Sequence, residues 1–188
     1  MKKKLVLWFT LLCVMLPGCS GADAPLGPAM EFRSRLLSAE GCSFDAQITA
    51  DFRDRLYSFE MNCRMDCAGN VNFTVTAPET IAGISGSISR EGGNLTFDDT
   101  ALAFDLMADG RISPVSAPWI LVHTLRSGYI VSCAEWENGI MVNINDSYED
   151  NALNLSVWLG KDGFPTGAEI SWQGRRLLSM NVKNFSLQ

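Results

Sequence analysis

The chain carries a single histidine, His123, and no Gly-x-Ser-x-Gly nucleophile motif. A catalytic base needs a nucleophile or an orienting partner within reach. None is visible, so His123 reads as a helix residue on a partly exposed face. Metal ligands are equally sparse. Cys63 and Cys67 form a Cys-x3-Cys pair, but a zinc site needs further ligands that a lone histidine cannot supply. Residues 145–150, with Asp146, Glu149 and Asp150, gather carboxylates without EF-hand spacing and read as a solvated turn. Enzyme activity, a cofactor and a metal are therefore not expected. Basic residues are few, 15 Lys and Arg against 21 Asp and Glu, for a net charge of −6. That balance argues against nucleic acid as a partner and against polybasic contact with anionic lipid. No apolar run reaches the roughly 20 residues a membrane-spanning helix needs, and no repeat or low-complexity block is present.

What is present begins at the N-terminus. Lys2, Lys3 and Lys4 precede an apolar stretch of 12 residues, Leu5 to Leu16, broken by Pro17 and Gly18 and followed by Cys19. Leu16-Pro17-Gly18-Cys19 resembles the lipobox of bacterial lipoproteins. The resemblance implies cleavage before Cys19, acylation of its thiol, and an extracytoplasmic, membrane-anchored product in the cell envelope. Three segments are expected: residues 1–18 as signal peptide, 19–28 as lipidated tether, and 29–188 as one folded domain. Without the three leader lysines, twelve basic residues face 21 acidic ones, a net charge of −9. Anchoring must then come from the acyl chains, and several chains on one cysteine suffice where one is marginal.

The domain opens with a helical stretch, residues 29–39, in which Met30, Arg33, Leu36 and Leu37 share one side and Gly41 follows the end. From Cys42 the apolar period becomes two. Phe44, Ala46, Ile48, Ala50 and Phe52 alternate with polar residues, as do Tyr57, Phe59, Met61, Cys63 and Met65. A two-residue turn at Arg53-Asp54 keeps both apolar sets on one face and makes paired positions sum to 107. Further strands are expected around 71–77, 82–88, 95–97, 102–106, 129–136, 139–146, 152–159, 167–173 and 176–185. Pro118 and Gly128 bracket an apolar helix over 117–127. The count is about eleven strands in an up-and-down antiparallel sheet, a mainly β chain with two short helices.

Residues 73–84 carry a strand that ends at Pro78 before the next begins. In residues 106–125 a strand leads through Asp109-Gly110 into a Pro-bounded apolar helix, and residues 153–180 look like a closing three-strand meander. In these stretches the chain resembles the LolA/LolB-type lipoprotein carriers. The resemblance implies a curved half-barrel of about eleven strands, with two helices on its concave side and an apolar cavity between. Phe44, Ile48, Phe59, Phe73, Ile84, Phe97, Phe104, Trp119, Leu121 and Val122 are the candidate lining. Parity is equally compatible with a core that fills this face. The leading expectation is non-catalytic binding of a lipid or other apolar ligand. The alternative is a solid-cored interaction module with a protein partner in the envelope, such as an accessory of an envelope or spore-associated enzyme.

Four cysteines remain beyond the leader and anchor: Cys42, Cys63, Cys67 and Cys133. With the 107 register Cys42 lies opposite Met65, and Cys63 and Cys67 are its diagonal neighbours. Diagonal Cβ atoms lie roughly 7 Å apart, against about 3.8 Å in a disulfide, so a twist or bulge must close the gap. Cys42–Cys63 is favoured, Cys42–Cys67 is the alternative, and Cys133 is left as a free thiol.

Overall fold

A computed structural model describes residues 25–52, 55–98, 100–108 and 111–188. The leader, the lipobox and Cys19 lie outside the described residues, as do Arg53, Asp54, Asp99, Asp109 and Gly110 of the expected turns.

Helix α1 (Leu26–Ser38) leads into strands β1 (Cys42–Asp51), β2 (Leu56–Met65), β3 (Val71–Ala77), β4 (Ser85–Ser89), β5 (Gly92–Phe97) and β6 (Thr100–Phe104). A small hairpin follows, β7 (Met107–Ala108) and β8 (Arg111–Ile112), then a 3-10 turn at Pro114–Ser116 and helix α2 (Ala117–Ser127). The chain ends in β9 (Tyr129–Trp136), β10 (Gly139–Asn145), β11 (Leu153–Gly160), β12 (Pro165–Trp172) and β13 (Arg175–Leu187). Eleven strands form one antiparallel sheet in the order β6-β5-β4-β3-β2-β1-β13-β12-β11-β10-β9. The sheet is thus two meanders, joined at its centre by the first and last strands, with α2 spanning the connection between its two edges.

The β1–β2 register is the expected one, Cys42 opposite Met65 and Asp51 opposite Leu56. Strict alternation explains why: a slip of one residue would turn Phe44, Ala46 and Ile48 to solvent. Alternate residues of β1, β2, β3, β10, β11 and β13 enter one core together with α1 and α2. Both helices pack on this inner face of the sheet. The outer face carries polar ladders across strands. Asn62 donates to Asp45 at 2.6 Å, Asn184 donates to the same carboxylate at 2.6 Å, and Ser156 donates to Asn143 at 2.7 Å.

Four local expectations change. Helix α1 starts at Leu26, inside the expected tether, because Pro28 falls in its first turn, where a missing N–H costs nothing. Its buried stripe is Ala29, Phe32 and Leu36, whereas Met30 and Leu37 are exposed. The stripe is selected by Phe32, whose ring meets Phe164 and Phe185 edge-on at 6.3 and 5.8 Å. Strand β4 begins at Ser85 rather than 82, since Ile81 and Ala82 donate back to Pro78 and Glu79 in successive turns. Strand β6 ends at Phe104, and Leu106 lies outside it, its carbonyl accepting from Ser113.

In α2, Ala117 through Val122 are buried, and so are Thr124 and Leu125. Only His123, Arg126 and Ser127 reach outward, so the helix is hydrophobic nearly all round, as a helix enclosed in a core must be.

Candidate apolar binding face

Seven of the ten candidate lining residues lie in the core: Phe44, Ile48, Phe59, Phe73, Trp119, Leu121 and Val122 are each at most 8% exposed. Ile48 and Leu121 have no accessible surface. They meet protein atoms on all sides. The Phe44 ring stacks on Phe185 at 5.4 Å, and Phe185 in turn stacks on Phe164 at 5.7 Å, above Phe32. Arg33 of α1 crosses to α2, where its Nε donates to the Leu125 carbonyl at 2.7 Å. That carbonyl belongs to the last turn of α2, where intrahelical donors run out and a cation is well placed. Burial lowers the Arg33 pKa, and the neighbouring Cys133 thiol acts in the opposite sense.

The other three candidates behave differently. Ile84 and Phe104 are only partly buried, and Phe97 is 52% exposed. The parity assigned to Phe97 is right, but nothing covers it fully. The pairing shows why these residues form one surface. Ile88, fully buried, faces Gly93; Gly93 faces Phe104; Leu95 faces Leu102; Phe97 faces Thr100. Directly paired residues project to the same side of a sheet, so Leu95, Phe97, Leu102 and Phe104 share the inner face with the core. Leu95 and Phe104 pack against that core, whereas Leu102 is 63% exposed. The apolar face therefore continues past the core onto the β5–β6 wing and ends open. Leu95 and Leu102 were absent from the candidate lining, and the signal for them was their own alternation with Phe97 and Phe104.

Two glycines shape this wing. The Phe104 ring lies directly over Gly93, and the Phe73 ring over Gly86, so that a Cβ on Gly86 would lie 2.8 Å from a Phe73 ring carbon. Each aromatic covers the backbone its neighbour leaves bare, which locks the two rings in place. A larger side chain at Gly93 must displace the Phe104 ring, and one at Gly86 meets the Asn94 carbonyl as well as the Phe73 ring.

All four described cysteines are free thiols, with Cys42 and Cys63 buried, Cys67 exposed and Cys133 half-buried. Neither the expected Cys42–Cys63 bridge nor the Cys42–Cys67 alternative is formed in the structure. Cys42 faces Met65 while Cys63 faces Phe44, so the regular ladder holds the two sulfurs one diagonal step apart. Cys67 lies in the turn after β2, as its position implied. Burial pushes the Cys42 thiol up to about 11, and raises Cys63 further, with Asp45 adding to the effect. A raised thiol pKa leaves little thiolate near neutrality, and thiolate is the reacting form. In the reduced native protein at pH 8, a thiol reagent is expected to label Cys67 first and to reach Cys42 and Cys63 only on unfolding. Peptide mapping of the labelled protein reads this; rapid native labelling of Cys42 would contradict the burial.

His123 is half-buried, with its ring stacked on Trp119 at 4.5 Å. Burial lowers its pKa, and Arg90 and Arg126 act in the same direction, while Asp146 opposes them. In the 145–150 turn, Asp146 accepts from the Leu153 amide at 2.8 Å and Tyr148 is 82% exposed. Among the described residues no group of three His, Cys, Asp or Glu side chains could hold a metal ion, and no helix is long and apolar enough to cross a membrane.

No protein-family model matches the sequence, and no curated protein matches it. Solved structures with similar chain traces exist. An uncharacterized conserved protein from Thermus thermophilus aligns at 10% identity and a TM-score of 0.48, covering 87% of each chain. A LolA superfamily protein from Nitrosomonas europaea aligns at 8% identity and TM-score 0.47, over 85% of this chain and 93% of that one. The Mycobacterium tuberculosis lipoprotein LppX aligns at 11% identity and TM-score 0.45, over 88% and 96%. The likeness is one of fold alone. The fold itself is an open antiparallel sheet of eleven strands with two helices.

Proposed function

We propose that the protein is an extracytoplasmic lipoprotein, anchored through an acylated Cys19, that binds the apolar chain of a lipid without catalysis. The site is the inner face of β4–β6. One observation carries this reading: Leu102 and Phe97, 63% and 52% exposed, lie on the face that continues from the buried core, with Leu102 opposite Leu95, which packs against that core. An apolar surface left open beside a core is the kind of patch that marks a binding site. Each CH₂ of a ligand buried there contributes about 0.8 kcal/mol. An acyl chain offers such groups in series, and its flexibility suits a shallow wing.

The packing beneath the helices favours a second reading, an interaction module whose wing is covered by an envelope protein. The two separate on what the protein carries. Protein purified from its native membrane should yield lipid in an organic extract examined by mass spectrometry. Phe97→Ser and Leu102→Ser together should weaken binding of a fluorescent fatty acid about tenfold or more, since two large apolar contacts are lost. A clean extract with unchanged probe binding overturns the lipid reading. A specific envelope protein retained by the wild type and lost by the double variant supports the second.

A further inference from the structure

A cleft of about 560 Å³ opens between the last turns of α2 and the turns that follow β2 and β4. Arg126 of α2 and Arg90 of the β4–β5 turn both line it, with His123 and Trp119 beside them. The charge pattern is unusual for a chain of net charge −6. Among the described residues the one ion pair is Arg176 with Glu169, between strands β12 and β13, so neither Arg90 nor Arg126 has a described carboxylate within 4.0 Å. Among the described residues Arg126 donates to the Met65 sulfur alone, at 3.5 Å. Guanidinium groups facing a cleft without a described carboxylate keep open donors in a planar fork.

The walls are held in place. Asp66 accepts from the Asn70 amide at 2.9 Å and from its side chain at 3.0 Å, which fixes the β2–β3 turn. Ser89 bridges the Gly92 carbonyl and the Glu91 amide across the other turn. The His123 ring lies flat on Trp119, 9° from parallel. Against the two arginines stand Glu91, which also lines the cleft, and Asp146, whose charge acts on His123 in the opposite sense to theirs.

We infer that this cleft receives a phosphate group, held between Arg90 and Arg126 beside the His123 ring. Two arginines can present paired N–H donors to a tetrahedral oxyanion, the geometry that makes Arg–phosphate contacts strong. Free phosphate and a phospholipid headgroup both carry this chemistry. The inference does not rest on the apolar wing, because none of Leu95, Phe97, Leu102 or Phe104 lines this cleft.

The full chain in detergent is titrated with inorganic phosphate, with lysophosphatidic acid, and with the neutral monoacylglycerol of the same chain length. His123, the sole histidine, gives an unambiguous ring resonance. Both phosphate probes should shift that resonance and raise the His123 pKa, since an added anion favours imidazolium. Arg90→Gln and Arg126→Gln should each weaken both probes about tenfold or more, the scale of one charge-assisted hydrogen bond, and Arg126→Lys should weaken them less. Tighter binding of lysophosphatidic acid than of phosphate supports a headgroup; equal binding supports free phosphate. An unmoved His123 resonance, or affinities unchanged in both Gln variants, overturns the inference. Monoacylglycerol binding reads the apolar wing separately, so either reading can fail while the other stands.

Discussion

Alanine at Cys19 is expected to clear the protein from the membrane fraction, either released or held as precursor with residues 1–18 uncleaved. The expectation follows from what else could anchor it. Residues 19–188 carry a net charge of −9, so the negative face of a bilayer repels them. No described helix can span a membrane. Acyl chains on Cys19 would then supply nearly all the affinity, at about 0.8 kcal/mol per buried CH₂. Losing them removes many kilocalories per mole at once, and the effect should be close to complete. Fractionation with mass analysis of the N-terminal peptide reads it. Wild-type protein found wholly soluble, without acyl mass on Cys19, defeats the anchoring proposal.

What was legible in the sequence was local. The β1–β2 hairpin was fixed by two strictly alternating strands and a short turn, and its register matches residue by residue. Helix α2 was bracketed by Pro118 and Gly128, and its bounds are the expected ones. What could not be read depends on residues far apart in the chain. The central β1–β13 pair joins the two ends of the fold, with Ala46 opposite Val182. No local period distinguishes that partner from the other strands of equal parity. Helix α1 offers two apolar stripes, one through Met30 and Leu37 and one through Phe32 and Leu36. Phe164 and Phe185, more than 120 positions away, decide between them. For the wing, parity placed Phe97 on the inner face, but whether a helix reaches over it is a property of the whole sheet. The phosphate cleft was invisible for the same reason: Arg90, His123 and Arg126 meet only because the β4–β5 turn closes against α2.

Two leucines on the inner face should separate stability from binding. Leu121→Ala is expected to lower the unfolding free energy by about 3 to 4 kcal/mol, and Leu102→Ala by less than about 0.5 kcal/mol. Both replacements remove the same atoms. Leu121 has no accessible surface and lies in a helix buried on nearly every side, so its loss leaves a cavity that neighbours cannot close. Alanine is at least as good a helix former, so propensity does not add to the loss. Leu102 sits on the edge strand, 63% exposed, and water already touches most of what the substitution removes. Against a total of about 5 to 15 kcal/mol for a domain, the first change takes a large share and the second almost none. Urea unfolding followed by far-ultraviolet circular dichroism, with equal m-values as the check on two-state behaviour, gives both numbers. The fluorescent fatty acid should rank the variants the other way, with Leu102→Ala weaker in binding and Leu121→Ala close to wild type under native conditions. Comparable stability losses at the two sites would make Leu102 a core residue and leave the β5–β6 wing without a reason to be open.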